Sequence, residues 1–62
     1  MDDQKRRDLI NNLEGDIRRV EMKIVFLETE GREELAKFYR MVLEGYEYVL
    51  ESVKQEERFK YH

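Results

Sequence analysis

Leu27-Glu28-Thr29-Glu30-Gly31-Arg32-Glu33-Glu34-Leu35 is the stretch that decides the fold. Upstream of it Ile10, Ile17 and Ile24 fall at a and Leu13, Val20 and Leu27 at d of a heptad whose 3-4-3-4-3 spacing holds without exception. Alternating steps of three and four lay one narrow apolar stripe along an α-helix, the pattern of a coiled-coil seam. Leu27 to Leu35 spans eight residues, so the repeat slips by one at Gly31. Glycine costs about 1 kcal/mol in a helix interior but suits the left-handed position that ends a helix. Slip and glycine together predict two helices joined by a tight turn rather than one rod. The expected bounds are helix 1 over about residues 3–29, a turn at about 30–31 and helix 2 over about 32–58. The fold expected is all-α, a single antiparallel helical hairpin spanning 1–62.

The ends of these segments carry matching chemistry. Asp2 or Asp3 is placed to cap helix 1, where a carboxylate accepts orphan amide protons and complements the dipole. Glu33 and Glu34 put negative charge in the first turn of helix 2. The core set expected on helix 2 is Leu35, Tyr39, Val42, Tyr46, Val49 and Val53, with Ala36, Leu43 and Leu50 alongside. Twelve of the nineteen residues from Leu35 to Val53 are apolar or aromatic, more than one neighbouring helix covers. That width is the pattern of a helix packed inside a bundle.

Apolar surface beyond the hairpin's own seam is therefore the main functional signal. On helix 1, from Asn11 to Thr29, the b, c and f positions hold no acid, and Met22, Val25 and Phe26 cluster there with Arg18 and Arg19. These five are the candidate binding face, since a compact exposed apolar patch marks a protein contact. On helix 2, Phe38, Met41, Leu43, Gly45, Tyr48 and Leu50 are the candidate oligomer interface. Gly45 in mid-helix suits a close crossing of two helices. The assembly expected is a homodimer completing a four-helix bundle, because symmetric dimers are the commonest way to cover such a face.

Composition narrows the rest. Sixty-two residues without cysteine leave neither disulfides nor thiolate metal sites to stabilise a small core. Charged residues make up 44% of the chain and proline is absent, which suits long solvent-washed helices. The net charge of −3 gives no global attraction to nucleic acid or anionic lipid. No apolar run reaches the ~20 residues of a membrane span and no secretory h-region stands at the start, so a cytoplasmic location and no membrane contact are expected.

Catalytic chemistry is not expected. Ser52, Thr29 and His62 are the lone serine, threonine and histidine, too few for a nucleophile, a base and an orienting group. No acid stands at a core position and no Glu-x-x-His pair occurs, so neither a bundle metal site nor any cofactor is expected. In a hairpin the chain ends meet, bringing Lys5, Arg6 and Arg7 near Lys54, Arg58, Lys60 and His62, with Phe59 and Tyr61 interleaved. That is the composition of a nucleic-acid patch, diluted by Asp2, Asp3, Asp8, Glu56 and Glu57 at the same end.

The function expected is a small non-enzymatic regulatory or adaptor protein, acting through protein–protein binding on a helical face. In outline the chain is similar to the plasmid-encoded Rop proteins, hairpins that dimerise into four-helix bundles and bind paired RNA loops. The likeness is architectural, without a shared motif, and implies the alternative: a dimeric RNA binder using Arg18 and Arg19. The small helical phosphatases of sporulation also have this outline. Their Ser-Gln-Glu-Leu-Asp motif is absent here; Gly31-Arg32-Glu33-Glu34-Leu35 does not replace it.

Overall fold

Asp2 sets the start of the first helix. In the computed structural model, which describes the backbone of residues 2–60 and the side chains of residues 2–56, the Asp2 carboxylate accepts the Lys5 amide at 2.9 Å. This satisfies one of the four amides that a helix N-terminus leaves without partners. Helix α1 then runs Asp3–Thr29 and helix α2 runs Glu33–Lys60.

The turn between them is a Schellman motif. Gly31 adopts φ +76°, the only positive φ among the described residues. Its amide donates to the Glu28 carbonyl at 3.1 Å, and the Arg32 amide donates to the Leu27 carbonyl at 2.8 Å. These two bonds satisfy carbonyls that the end of α1 would otherwise leave open. The Arg32 carbonyl in turn accepts the Ala36 amide at 3.0 Å, so the first bond of α2 begins on the same residue whose amide closes the last bond of α1. Arg32 brings no side-chain acceptor to this N-cap position; Glu33 and Glu34 complement the dipole instead.

Two helices packed against each other result, in a body of 47 × 16 × 12 Å. Two ion pairs across the seam mark their register. Arg40 Nη1 donates to Glu28 Oε2 at 2.7 Å, and Lys54 Nζ stands 3.8 Å from Glu14 Oε2. Glu14 is fourteen residues before Glu28 and Lys54 fourteen after Arg40, so two whole heptads pass with no slip. An antiparallel pair in heptad register predicts this constancy.

Leu27 and Ala36, on either side of the turn, are the most deeply buried residues, at 1% and 0% exposed. Leu13 and Ile24 complete the buried apolar set among the described residues, and Ile10, Ile17 and Val20 are half-buried. The α1 heptad thus points where its spacing says. It also reaches further back than its apolar residues do. Arg6 occupies the next d position, is 5% exposed and pairs with Asp3 at 3.0 Å.

On α2 the seam keeps Tyr39, Tyr46 and Val53 of the expected core set, and Ala36, Leu43 and Leu50, expected alongside, take the other column; Val42 is half-buried at its edge. Ala36, Tyr39, Leu43, Tyr46, Leu50 and Val53 are buried or half-buried, whereas Leu35 and Val49 are exposed. The heptad of α2 is therefore read with a at Ala36, Leu43 and Leu50 and d at Tyr39, Tyr46 and Val53. Two ion pairs flank this seam. A seam through Ala36 and Leu43 sets Arg40 at e beside Glu28, and Lys54 at e beside Glu14.

Candidate protein-binding faces

The patch on α1 stands on the side of the helix turned away from α2. Met22, Val25 and Phe26 are 73%, 62% and 56% exposed, as the f, b and c positions dictate. With Arg18 and Glu21 they line a shallow depression of about 450 Å³. The Lys23 ammonium lies 5.8 Å from the Phe26 ring centroid, adding cationic character at the edge of the patch. Arg18 is exposed and makes no ion pair or side-chain hydrogen bond among the described residues. Arg19 does not line the depression; its guanidinium is held by Asp16 at 2.6 Å, one turn back. Four of the five residues expected on this face thus converge, and the fifth is tied elsewhere.

On α2 every charged residue from Lys37 to Lys54 falls at b or e. The c, f and g positions of that stretch hold none, and they include Phe38, Met41, Gly45, Tyr48 and Ser52. Phe38, Met41 and Tyr48 are 57%, 65% and 75% exposed, and Phe38 packs edge-on against Tyr39, with centroids 5.7 Å apart. Beside this face runs an apolar groove of about 500 Å³ lined by Leu13, Val42, Gly45, Tyr46 and Val49. It continues past Val49 into a second depression bounded by Tyr48, Ser52 and Val53. A Cβ built on Gly45 would meet nothing within 4 Å. No helix of this chain crosses there.

Leu43 and Leu50 do not belong with the other four candidates for an oligomer interface. They share the buried column of Ala36, and Leu50 borders Glu14 and Ile17 of α1 on the ion-paired flank of the seam. Sequence spacing alone leaves this choice open, because Leu35, Val42 and Val49 are as apolar as Ala36, Leu43 and Leu50. Arg40 and Lys54 at the flanking e positions, opposite Glu28 and Glu14, accord with the Ala36 column, although the middle e positions, Glu21 and Glu47, are both acidic.

The remaining candidates for chemistry are occupied locally. The Ser52 hydroxyl donates to the Tyr48 carbonyl and the Thr29 hydroxyl to the Val25 carbonyl, each at 2.9 Å within its own helix. Among the described residues no three His, Cys, Asp or Glu side chains gather as a metal site. No helix there is long and apolar enough to cross a membrane. Of the basic cluster at the chain ends, Arg6 is buried beside Asp3 and Lys54 is engaged with Glu14. The side chains of Arg58, Phe59, Lys60, Tyr61 and His62 lie outside the described residues. No protein family matches the chain, and no curated protein or solved structure does.

Proposed function

We propose that this chain is a small, non-enzymatic adaptor or regulatory protein, cytoplasmic and assembled as a homodimeric four-helix bundle, which binds another protein through the outer face of α1. The observation that carries the reading is the cluster of Met22, Val25 and Phe26, held at helical spacing and left in solvent. Exposed apolar clusters with a polar rim are the usual anchor of a protein contact, and aromatic, Met and Arg side chains are enriched there. Arg18 supplies that rim with a guanidinium that no neighbour engages. The non-enzymatic part is supported by Ser52 and Thr29, whose hydroxyls both bond backward to helix carbonyls. The dimer is supported by the charge-free side of α2, which a lone hairpin leaves in water.

Affinity capture with the wild type against Phe26→Glu tests the binding face. A partner retained by the wild type and lost by the still-helical variant is the expected result. Identical partner sets rule the face out. A second reading, a Rop-like RNA binder, draws on Arg18 and Arg19 standing side by side on a surface without acids at its b, c and f positions from Asn11 to Thr29. Asp16 holds Arg19 and Glu21 borders the patch, which weakens the cationic field that RNA needs. A shift of structured RNA at about 10 µM protein and low salt, weakening steeply as salt rises, would favour it over the adaptor reading.

A further inference from the structure

We propose that the charge-free side of α2 is the seat of a second copy of this chain, with Gly45 at the point of closest approach. This rests on the dimeric reading above and assigns the face that carries it.

Three observations select the occupant. The first is chemical. From Leu35 to Ser52 the c, f and g positions contain no charge, and the acids and bases of the same stretch are turned to b and e. A partner covering this face must be equally free of charge along about 25 Å, the length of seventeen residue steps in a helix. The chain carries one such face itself, and a two-fold axis lets the face pair with its own copy.

The second is area. Leu35, Phe38, Met41, Tyr48 and Val49 are exposed by fractions between 42% and 75%. At roughly 200 Å² for a full side chain, these five alone offer on the order of 500 Å². Two copies then bury on the order of 1,000 Å² before Val42, Gly45, Ser52 and the groove beside Leu13 are included. That reaches the threshold of about 1,000 Å² in total for a specific interface.

The third is Gly45. It lies near the middle of the stripe, it borders the groove, and nothing in its own chain comes within 4 Å of the place where a Cβ would be. Glycine there weakens α2 and fills no need of the hairpin. A backbone approaching from outside is the use that a missing side chain serves. An antiparallel crossing near the stripe's centre puts the two copies of Gly45 close together. The α1 patch shares no lining residue with this groove, so the dimer leaves both copies of the patch open to partners.

Sedimentation equilibrium from micromolar to hundreds of micromolar chain, with circular dichroism on each variant, tests the assignment. The wild type is expected to be a dimer. Gly45→Leu and Val49→Glu are expected to raise the dimer dissociation constant at least about tenfold while remaining helical, since leucine is a better helix former and its Cβ would meet nothing within 4 Å in the single hairpin. Phe26→Glu is expected to leave the constant unchanged. A second measurement does not depend on dissociation. The chain has no cysteine, so Gly45→Cys should oxidise to a covalent dimer, which needs Cα atoms about 4.4–6.8 Å apart; Met22→Cys should not. A dimer untouched by Gly45→Leu and Val49→Glu, or equal cross-linking at positions 45 and 22, overturns the assignment. A wild type that stays monomeric overturns the dimer itself, while partner capture by the α1 patch remains a separate result.

Discussion

Gly31 and Gly45 look alike in one respect: a side chain added to either would meet nothing within 4 Å. They differ in what the backbone asks of them. Gly31 holds φ +76°, and the bonds on either side of it close α1 and deliver the chain to α2. Its identity is explained entirely from within the hairpin. Gly45 sits in ordinary helix, where glycine costs about 1 kcal/mol relative to alanine, and no contact of its own chain explains it. One glycine is there for the chain's conformation. The other has no such reason within the hairpin.

The contrast is sharpest if the turn is shown to depend on its own floor. Leu27 supplies the carbonyl that accepts the Arg32 amide, and its side chain is the largest one fully buried. Leu27→Ala keeps the backbone bond and removes the packing beneath it. A buried Leu→Ala change costs about 2–5 kcal/mol, and a domain of this size has only about 5 kcal/mol in hand. The expected outcome is loss of the cooperative thermal transition followed by circular dichroism. A variant melting within a few degrees of the wild type would show that the turn does not rest on this side chain.

Next in size is Gly31→Ala. The left-handed conformation costs an L-residue about 1–2 kcal/mol, and open space around the site gives no compensating contact. A loss of about 1 kcal/mol is expected, which for a chain this short lowers the melting temperature by about 4–8 °C. The effect should not vary with protein concentration.

Gly45→Ala should act with the opposite sign where the chain is monomeric. At high dilution alanine should stabilise α2 by up to about 1 kcal/mol, since no neighbour opposes its methyl group. At high concentration a closely packed second copy meets that methyl, and the gain should shrink or reverse. Melting curves over a wide concentration range check this. A gain equal at all concentrations would make Gly45 merely a weak point in the helix.

The hairpin and its turn were legible because local chemistry and long-range packing agree there. The heptad from Ile10 to Leu27 ends where the glycine begins, and the acids at Asp2, Glu33 and Glu34 mark the starts. The seam of α2 is only partly legible from hydrophobicity, because two adjacent columns are both apolar: Ala36, Leu43 and Leu50 enter the seam, while Val42 and Val49 line the groove at its edge beside Leu13. Arg6 was missed for a different reason. Arginine is seldom buried, so the heptad was read only as far back as its apolar members, though the d column continues to it. The exposure of Met22, Val25 and Phe26 follows directly from a and d, which fix b, c and f. The exception on that face, Arg19, depends on an ion pair one turn back that spacing permits but does not require.

The smallest effect separates the two ends of one ion pair. Glu28 and Arg40 are both about half exposed, so their coupling should be about 0.5 kcal/mol. Their surroundings are unequal. Glu28 stands in the last turn of α1, which holds no basic residue, and a carboxylate there opposes the helix dipole by about 0.3–1 kcal/mol. Glu28→Gln loses the pair but also removes that conflict, so its net effect should be close to zero. Arg40→Gln loses the pair and leaves the carboxylate unneutralised beside the dipole, so it should cost the more of the two. Thermal melts of both single variants and the double variant separate these contributions. The difference should fade at ~1 M salt, where charges are screened beyond about 3 Å. Equal losses from both single changes would mean that the pair, and not its position at the end of α1, governs this flank of the seam.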